Sequence, residues 1–198
     1  VVVIVEHFRE HVASKIGGKA KAMVVTDSRK AAVRYKLATD KYLKERGYHD
    51  IKALVAFSGK VSDTESGPDE FTESNMNPEI KGQDPAEAFK QDEYRLLLVA
   101  NKYQTGFDQP LLHTMYVDKR LSGVLAVQTL SRLNRTHPGK DDTFVLDFVN
   151  DPQEILDSFK PYYRAAQLEE VTDPNIVHEL QTKLDKANVY FPTEVDAF

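Results

Sequence analysis

The stretch of sequence that decides the fold spans residues 21–57 and reads KAMVVTDSRKAAVRYKLATDKYLKERGYHDIKALVAF. Its first six residues form a short apolar run, which is typical of a strand buried on both faces of a sheet. Asp27 or Ser28 then caps a long helix, and Gly47 provides its stop. A second apolar run follows at 51–57. Because a strand, a helix and a strand in this order form a βαβ unit, the stretch predicts a parallel sheet.

The sequence on both sides of this unit adds elements of the same class. A helix over the first sixteen residues is expected to pack Ile4, Phe8 and Val12 against the core. The region 58–85 is rich in Gly, Pro, Ser, Asn and acidic residues, and is interpreted as a disordered loop, a flap or a functional insertion. We expect further strands at 94–99, 112–117 and 143–148, and further helices at 85–91, 122–134, 153–163 and 174–188. The predicted fold class is α/β, a parallel β-sheet flanked by helices, with a C-terminal helical extension.

Composition and charge exclude several classes of protein. The 198 residues carry a formal net charge of −5, which argues against nucleic-acid binding by bulk electrostatics alone. The charge is uneven, since residues 9–46 are rich in Lys and Arg whereas residues 63–93 are rich in acids. There is no cysteine, and the six histidines lack zinc-site spacing, so neither disulfides nor a metal site is expected. No apolar run has the length of a membrane span, and we expect a cytoplasmic protein with no membrane partner.

Residues 128–135 read QTLSRLNR and carry the strongest functional signal. On a helix, Arg132 and Arg135 share one face because they lie three residues apart, and Gln128 lies one turn before Arg132. Two guanidinium groups fixed on a packed helix form a rigid fork for phosphate oxygens. The alternative interpretation is a solvated basic helix face. Five apolar residues would hold such a helix against the core: Val124, Leu125, Val127, Leu130 and Leu133.

Three loops follow strands of the predicted sheet, and ligands of open parallel sheets bind outside the carboxyl ends of the strands. Residues 26–29 follow the first strand and open a helix, whose free N–H groups attract phosphate. Residues 58–59 follow the second strand. The loop 101–110 follows the third and contains Gly106, which allows close backbone approach, and Asp108, a carboxylate for water or hydroxyl contacts. An ordinary helix N-cap and an ordinary turn are the alternatives for the first and third loops.

Two motifs of nucleotide-binding enzymes are missing from the sequence. It contains no GxxxxGK[ST] phosphate-binding loop and no Asp-Glu-x-His segment that would hold a metal ion. A chain without these groups does not bind Mg-nucleotide as a P-loop enzyme does. The two arginines are therefore interpreted as half of a site whose other half lies elsewhere.

Taken together, these segments resemble the second motor domain, the RecA-like domain 2, of superfamily 2 helicases and translocases. The last motif of that family is Gln-x-x-Gly-Arg-x-x-Arg, which residues 128–135 match with Ser131 in place of glycine. The motif before it, a strand followed by a loop that ends Gly-x-Asp, matches 96–99 and 106–108. The opening motif, a strand followed by a polar loop and a helix, matches 23–29.

Within the superfamily, residues 105–119 and 126–135 look most like the motor subunit, or R subunit, of type I restriction enzymes. The resemblance implies a RecA-like helicase C-terminal domain at 1–150. It also implies that residues 151–198 correspond to the start of a helical region. This family implies an ATP-dependent DNA translocase within a site-specific endonuclease.

The resemblance implies roles for particular residues. ATP and Mg²⁺ would be held mainly by a first motor domain, with Arg135 as an arginine finger on the γ-phosphate and Arg132 assisting it. Gly106, Asp108 and Gln128 would line the same cleft. Six residues would contact the DNA backbone: Thr26, Ser28, Arg29, Ser58, Gly59 and Lys102. The implied partners are double-stranded DNA, preceding motor and nuclease domains, and the modification and specificity subunits of the restriction complex.

Two other interpretations stay open on the sequence alone. One is the second motor domain of another superfamily 2 protein, such as a repair or RNA helicase. The other is a non-catalytic Rossmann-like module whose arginine helix contacts a protein partner. A weak, salt-sensitive interaction with DNA that is lost in Arg29→Ala or Lys102→Ala would distinguish the motors from the module. On the leading interpretation, we expect no ATPase activity from the isolated chain.

Overall fold

The computed structural model describes residues 1–103 and 106–170, the last eight of them by their backbone alone. The strands are β1 (Lys21–Thr26), β2 (Lys52–Ala56), β3 (Lys60–Ser62), β4 (Glu70–Thr72), β5 (Tyr94–Val99), β6 (Leu112–Asp118) and β7 (Phe144–Asp147). The helices are α1 (Val2–His7), α2 (Lys15–Gly18), α3 (Arg29–Arg46), α4 (Glu73–Met76), α5 (Pro85–Ala88), α6 (Gly123–Leu130) and α7 (Pro152–Glu170).

Five of the strands form one sheet in the order β2-β5-β1-β6-β7, and every neighbouring pair is parallel. Strand β1 lies at the centre, where Met23 pairs with Leu97 of β5 on one side and with Met115 of β6 on the other. All six residues of β1 are buried, which explains its continuous apolar run. The predicted α/β fold with a parallel sheet flanked by helices is confirmed.

The long helix α3 begins and ends where the sequence predicts. Of the two possible caps, Ser28 is the one used, and its Oγ accepts a hydrogen bond from the backbone N–H of Ala31 at 3.2 Å. At the other end Gly47 adopts a φ of 69°, a left-handed conformation that costs glycine little. The helix connects β1 to β2, and β5 lies between these two strands in the sheet.

The N-terminal helix is present but interrupted. A π-helical segment, Phe8–Val12, follows α1, and the short α2 is kinked at Ile16 and Gly17, which have φ values of 52° and 63°. Ile4, Phe8 and Val12 are all buried in the core, as predicted. Burying a side chain of this size contributes about 1.5–3 kcal/mol, so these contacts hold the segment on the sheet despite its irregular backbone.

The region 58–85, interpreted above as a loop, flap or insertion, contains regular structure. Strands β3 and β4 form an antiparallel hairpin, and α4 follows directly. Arg34 of α3 donates from Nε and Nη2 to the carboxylate of Asp63 at 2.6 and 2.8 Å, which fixes the hairpin to the helix. The amide of Asn77 bonds both the N–H and the carbonyl of Val55. These ties join residues distant in sequence, and periodicity therefore does not reveal them.

The helix predicted over 122–134 is shorter than expected. Helix α6 ends at Leu130, and Ser131–Leu133 form a tighter 3₁₀ turn that Asn134 closes by donating to the carbonyl of Ser131. Leu130 and Leu133 are buried as predicted, but Val124 is 58% exposed and Leu125 is also exposed. The prediction for the second half of this helix was wrong in its geometry. Helix α5 likewise ends at Ala88 and not at residue 91.

The C-terminal part of the description consists of α7, which confirms the helix predicted at 153–163. The helix predicted at 174–188 lies outside the described residues, as does Thr105 of the loop after β5. The chain divides into compact units at 1–158 and 159–198, and the predicted domain division at 150/151 stays a prediction. Over the described residues, no helix combines the length and apolar character that a membrane crossing requires.

Candidate functional site

The segment with the strongest functional signal, residues 128–135, begins in the last turn of α6 and ends in a tight turn at 131–135, which we call the arginine turn. Arg132 donates from Nη1 to the carbonyl oxygen of Phe107 at 3.3 Å. Arg135 donates from Nε to Oδ1 of Asp108 at 2.9 Å. The two arginines therefore contact adjacent residues of one loop. They form a pair of guanidinium groups at one place, although Arg135 lies beyond the helix.

The loop that receives the arginines is fixed by Phe107. This side chain is buried, and its ring centroid lies 5.3 Å from that of Tyr103 and 6.3 Å from that of Phe89. The preceding residue, Gly106, adopts a φ of 70°, which favours glycine. The chain therefore turns sharply at the glycine, buries the phenylalanine and exposes Asp108 at the surface.

Gln128 contributes to this arrangement through its backbone. Its carbonyl oxygen accepts hydrogen bonds from Arg132 Nε at 3.1 Å and from the hydroxyl of Ser131 at 3.2 Å. The residue itself is exposed on the last turn of α6. Its predicted place in a nucleotide site stays a prediction.

The arginine turn lies near the amino end of the sheet, whereas the sequence analysis expected every candidate loop at the carboxyl ends of the strands. The loop that starts at the carboxyl end of β5 crosses to the start of β6, where the N–H of Lys21 donates to the carbonyl of Leu111 at 2.9 Å. Lys140 binds the carbonyls of both Pro110 and Arg135 at the same place. The candidate residues therefore form two separate groups.

The guanidinium group of Arg135 is accessible, whereas Arg132 is partly buried. The Arg135 side chain is 45% exposed and that of Asp108 is 70% exposed, so their ion pair lies at the surface. Exposed pairs of this kind contribute about 0–1 kcal/mol, and Arg135 can exchange Asp108 for another anion at little cost. Arg135 also lines a cavity of about 220 Å³, together with Lys140 and the residues around them.

The second group lies at or just beyond the carboxyl ends of β1, β2 and β5, and we call it the carboxyl-edge group. It consists of Thr26, Ser28, Arg29, Ser58, Gly59 and Lys102. Arg29 Nη1 donates to the carbonyl of Ser58 at 3.1 Å, so the loops after β1 and β2 are in contact. Gly59 has a φ of 76°, and a Cβ there would lie 3.1 Å from Arg29 Nη1. The glycine therefore permits the close approach of this arginine.

Thr26 and Lys102 are less available than the sequence suggests. Thr26 is buried, and its hydroxyl lies 2.9 Å from the carbonyl of Val99. Lys102 Nζ donates to both carboxylate oxygens of Glu73 at 2.9 and 2.8 Å. Glu73 in turn accepts the N–H of Phe57 at 3.0 Å. Local partners thus occupy the polar groups of both side chains.

The groups that could bind a cofactor are hydrogen-bond donors. The guanidinium groups of the arginine turn fit the oxygen atoms of a phosphate, which planar Arg donors bind in pairs. Among the side chains described in residues 1–103 and 106–162, no group of three or more His, Asp or Glu is arranged to hold a metal ion.

Two residues near the arginine turn were not predicted. Lys140 donates to three backbone carbonyls, and Phe107 fixes the loop under Arg132. The apolar residue between Gly106 and Asp108 could have suggested an anchor for the loop. No local signal marks Lys140, which lies in a polar stretch reading HPGKDD.

Comparison with known proteins identifies the family that the chain resembles. Residues 71–150 match the family model described as type I restriction enzyme subunit R domain 3. The chain is 30% identical over 192 residues to the provisionally named type I restriction enzyme MjaIXP endonuclease subunit of Methanocaldococcus jannaschii, across 95% of this chain and 17% of that protein. It is 21% identical over 187 residues to the type I restriction enzyme HindI endonuclease subunit of Haemophilus influenzae, across 89% of this chain and 17% of that protein.

The chain thus spans about a sixth of the length of these two relatives. Among solved structures, domain 2 of the DEAD-box helicase Mss116p, bound to an RNA duplex, aligns over 78% of this chain and 52% of that one, with 20% identity and a TM-score of 0.46. The fold is identified from the strand order and register above, since this structural overlap is partial. The sequence relatives and the family model confirm the resemblance to type I restriction enzyme R subunits.

Proposed function

We propose that this chain, which resembles part of the R subunit of type I restriction enzymes, is the second motor domain of an ATP-driven DNA translocase. In this proposal it supplies the arginine finger of an ATPase site whose phosphate-binding loop and Mg²⁺ ligands lie in a preceding motor domain. It also contacts the backbone of double-stranded DNA. A preceding nuclease domain and separate modification and specificity subunits would complete the restriction complex.

The observation that carries the proposal is the convergence of Arg132 and Arg135 on one exposed loop. The buried Phe107 fixes that loop, and Arg132 is bonded to it through a backbone carbonyl. Arg135 is paired with the exposed carboxylate of Asp108. This arrangement supports a division of roles, in which Arg132 holds the turn and Arg135 is free to exchange its partner.

Bound ATP would supply the phosphoanhydride bond whose hydrolysis drives movement along DNA. Arg135 would release Asp108 and donate to oxygens of the terminal phosphate, where it would neutralise the charge that develops during transfer. Asp108, once released, would be available to bind water or a group of the opposing domain. Gly106, Asp108 and Gln128 would line this side of the cleft.

The carboxyl-edge group would contact DNA at a different place. Arg29 and the adjoining Ser58 and Gly59 are exposed, and they offer a guanidinium group and backbone groups to phosphate oxygens. Ser28 would contribute because it lies at the N-terminus of α3, where free backbone N–H groups attract anions. Thr26 would support the loop from beneath, and Lys102 would reach a phosphate by exchanging Glu73. Such contacts are independent of sequence, as a translocase requires.

The test is single-turnover ATP hydrolysis by the full-length R subunit that carries this chain, with and without Arg135→Ala. We expect the variant to lose roughly 10³-fold or more of the DNA-stimulated rate, because an arginine finger contributes about 10³–10⁵. A matched control is Arg46→Ala, which removes an exposed arginine at the end of α3, distant in the chain from the arginine turn.

An unchanged rate in Arg135→Ala would remove this residue from the proposed role. ATP hydrolysis by the purified isolated chain would contradict the division of the site between two domains. The alternatives of another helicase or an interaction module have no comparable support, since the family model and the named sequence relatives are restriction-enzyme subunits.

A further inference from the structure

Lys140 connects the two segments of the arginine site. Its Nζ donates to the carbonyl of Leu133 at 2.7 Å and to that of Arg135 at 2.8 Å, both in the arginine turn. A third hydrogen bond, of 3.2 Å, goes to the carbonyl of Pro110 at the end of the loop that carries Asp108. One ammonium group therefore joins the backbone on both sides of the Arg135–Asp108 pair.

The chemistry of lysine fits this position. An ammonium group has three N–H donors, and here the three donors meet three carbonyl acceptors. The Arg135 carbonyl also belongs to the residue whose side chain would bind phosphate. At the 3₁₀ turn and beyond it, the helix no longer provides donors for the carbonyls of Leu133 and Arg135. The ammonium group of Lys140 replaces those helical donors.

From this geometry we infer that Lys140 is a positioning residue for Arg135, which it holds in place through the backbone of the arginine turn. The inference rests on the proposed function, because it concerns the same site. Lys140 does not touch the nucleotide in this account. It fixes the distance between the base of the Arg135 side chain and the loop of Asp108, so that the guanidinium group meets the phosphate without reorganisation.

The experiment measures DNA-stimulated ATP hydrolysis by the full-length R subunit in four forms: unaltered, Lys140→Met, Arg135→Ala and the double variant. We expect Lys140→Met to lower kcat by roughly 10²-fold, because a displacement of about 1 Å in a positioned group has that effect. The KM for ATP should change much less than kcat, since the residue acts on the finger and not on ground-state binding. Lys41→Met, at an exposed ion pair with Glu45 on α3, is the matched control.

The double variant separates positioning from general loss of structure. If Lys140 acts through Arg135, its substitution should have no further effect once Arg135 is alanine. Multiplicative effects in the double variant, or a melting temperature of Lys140→Met lowered enough to account for the lost activity, would overturn the inference. A silent Arg135→Ala would instead overturn the proposed function, and the positioning role with it.

Lys140→Arg provides a second test. The planar guanidinium group retains the charge but cannot direct three donors at three carbonyls as a tetrahedral ammonium group does. We expect this variant to keep a defect of about tenfold or more in kcat, within the range that misplacement produces. Full activity in Lys140→Arg would show that charge alone suffices, and would overturn the positioning role.

Discussion

The arginine turn and the carboxyl-edge group both contain basic side chains, but the partners of those side chains differ. Around the arginine turn, backbone carbonyls bind Arg132 and Lys140, and the guanidinium group of Arg135 is paired with the exposed carboxylate of Asp108. In the carboxyl-edge group, Thr26 is buried and Lys102 is paired with Glu73. Arg29 bonds a backbone carbonyl at the surface.

The difference shows that the surroundings of a basic residue in a candidate loop decide which role it can have. A finger requires a fixed base and a replaceable partner, which Arg135 has. A backbone contact to DNA requires only accessible positive charge, because most of the affinity comes from released counterions. The two groups should therefore respond differently to the same conservative substitution.

The largest expected effect comes from exchanging arginine for lysine in each group. In the full-length R subunit, Arg135→Lys should reduce ATP hydrolysis by roughly 10²-fold or more, because a point charge cannot reproduce the planar fork of an arginine finger. Arg29→Lys should leave DNA affinity within about twofold, since the charge is kept. Stopped-flow hydrolysis and fluorescence anisotropy measure the two effects. Equal losses in both assays would remove the proposed distinction.

The next effect concerns pH, because the amino end of the sheet also contains a buried ammonium group. Lys21 donates from Nζ to the carbonyls of Gln91 and Tyr94, and burial lowers its pKa to about 8. Its folded-state pKa is below the unfolded value, so the protein binds fewer protons when folded between about pH 8 and 10.5. Its contribution to stability should therefore increase as the pH rises from 8, by at most about 1.4 kcal/mol per pH unit.

Urea unfolding of this chain at pH 7, 8, 9 and 9.5, with and without Lys21→Met, measures that slope. Lys102→Met in the carboxyl-edge group is the control. Burial alone would lower the pKa of Lys102, but hydrogen bonds with Glu73 and Tyr103 raise it. The stabilising effect of Lys102 is present below its unfolded pKa and lost only as pH rises through the higher folded value. The contribution of Lys102 to the free energy of unfolding should therefore not change with pH in this window. If the contributions of Lys21 and Lys102 changed equally with pH, the predicted difference between the two lysines would be wrong.

The smallest expected effect is on DNA binding by the chain itself. Arg29→Ala should make the slope of log K against log salt concentration shallower by about 0.9, the value for one lost phosphate contact. Thr26→Val should change affinity by no more than about twofold, because the threonine hydroxyl is buried against Val99. Salt titrations monitored by anisotropy measure both. If Thr26→Val weakened binding as much as Arg29→Ala, the threonine would be a direct contact.

The sequence predicted the elements of the fold whose determinants are local. The strands at β1, β5 and β6 show as apolar runs, and the ends of α3 show as a serine cap and a glycine stop. Periodicity failed where contacts distant in sequence decide the structure. The hairpin of β3 and β4 depends on Arg34 and Asp63, and the turn at which α6 ends early also binds Lys140, which donates to the carbonyl of Leu133.

For the candidate site, the spacing of the arginines and the resemblance to the helicase motifs indicated Arg132, Arg135 and Asp108. The sequence could not show that Arg132 donates to the carbonyl of Phe107, because every residue has a backbone carbonyl and the residue type does not indicate which one accepts. Nor could it show that the arginines bind Phe107 and Asp108, in the part of the loop that has crossed towards the start of β6.

Sequence by itself predicted the parallel sheet, from the order of apolar runs and helix along the chain. It also predicted the long helix after β1 and the motif residues, which depend on neighbours in sequence. Only the tertiary structure decided which charges are free, which are paired and which hold the backbone. The physical reason is that exposure and hydrogen bonding are properties of a packed environment, and residues far apart in sequence build that environment together.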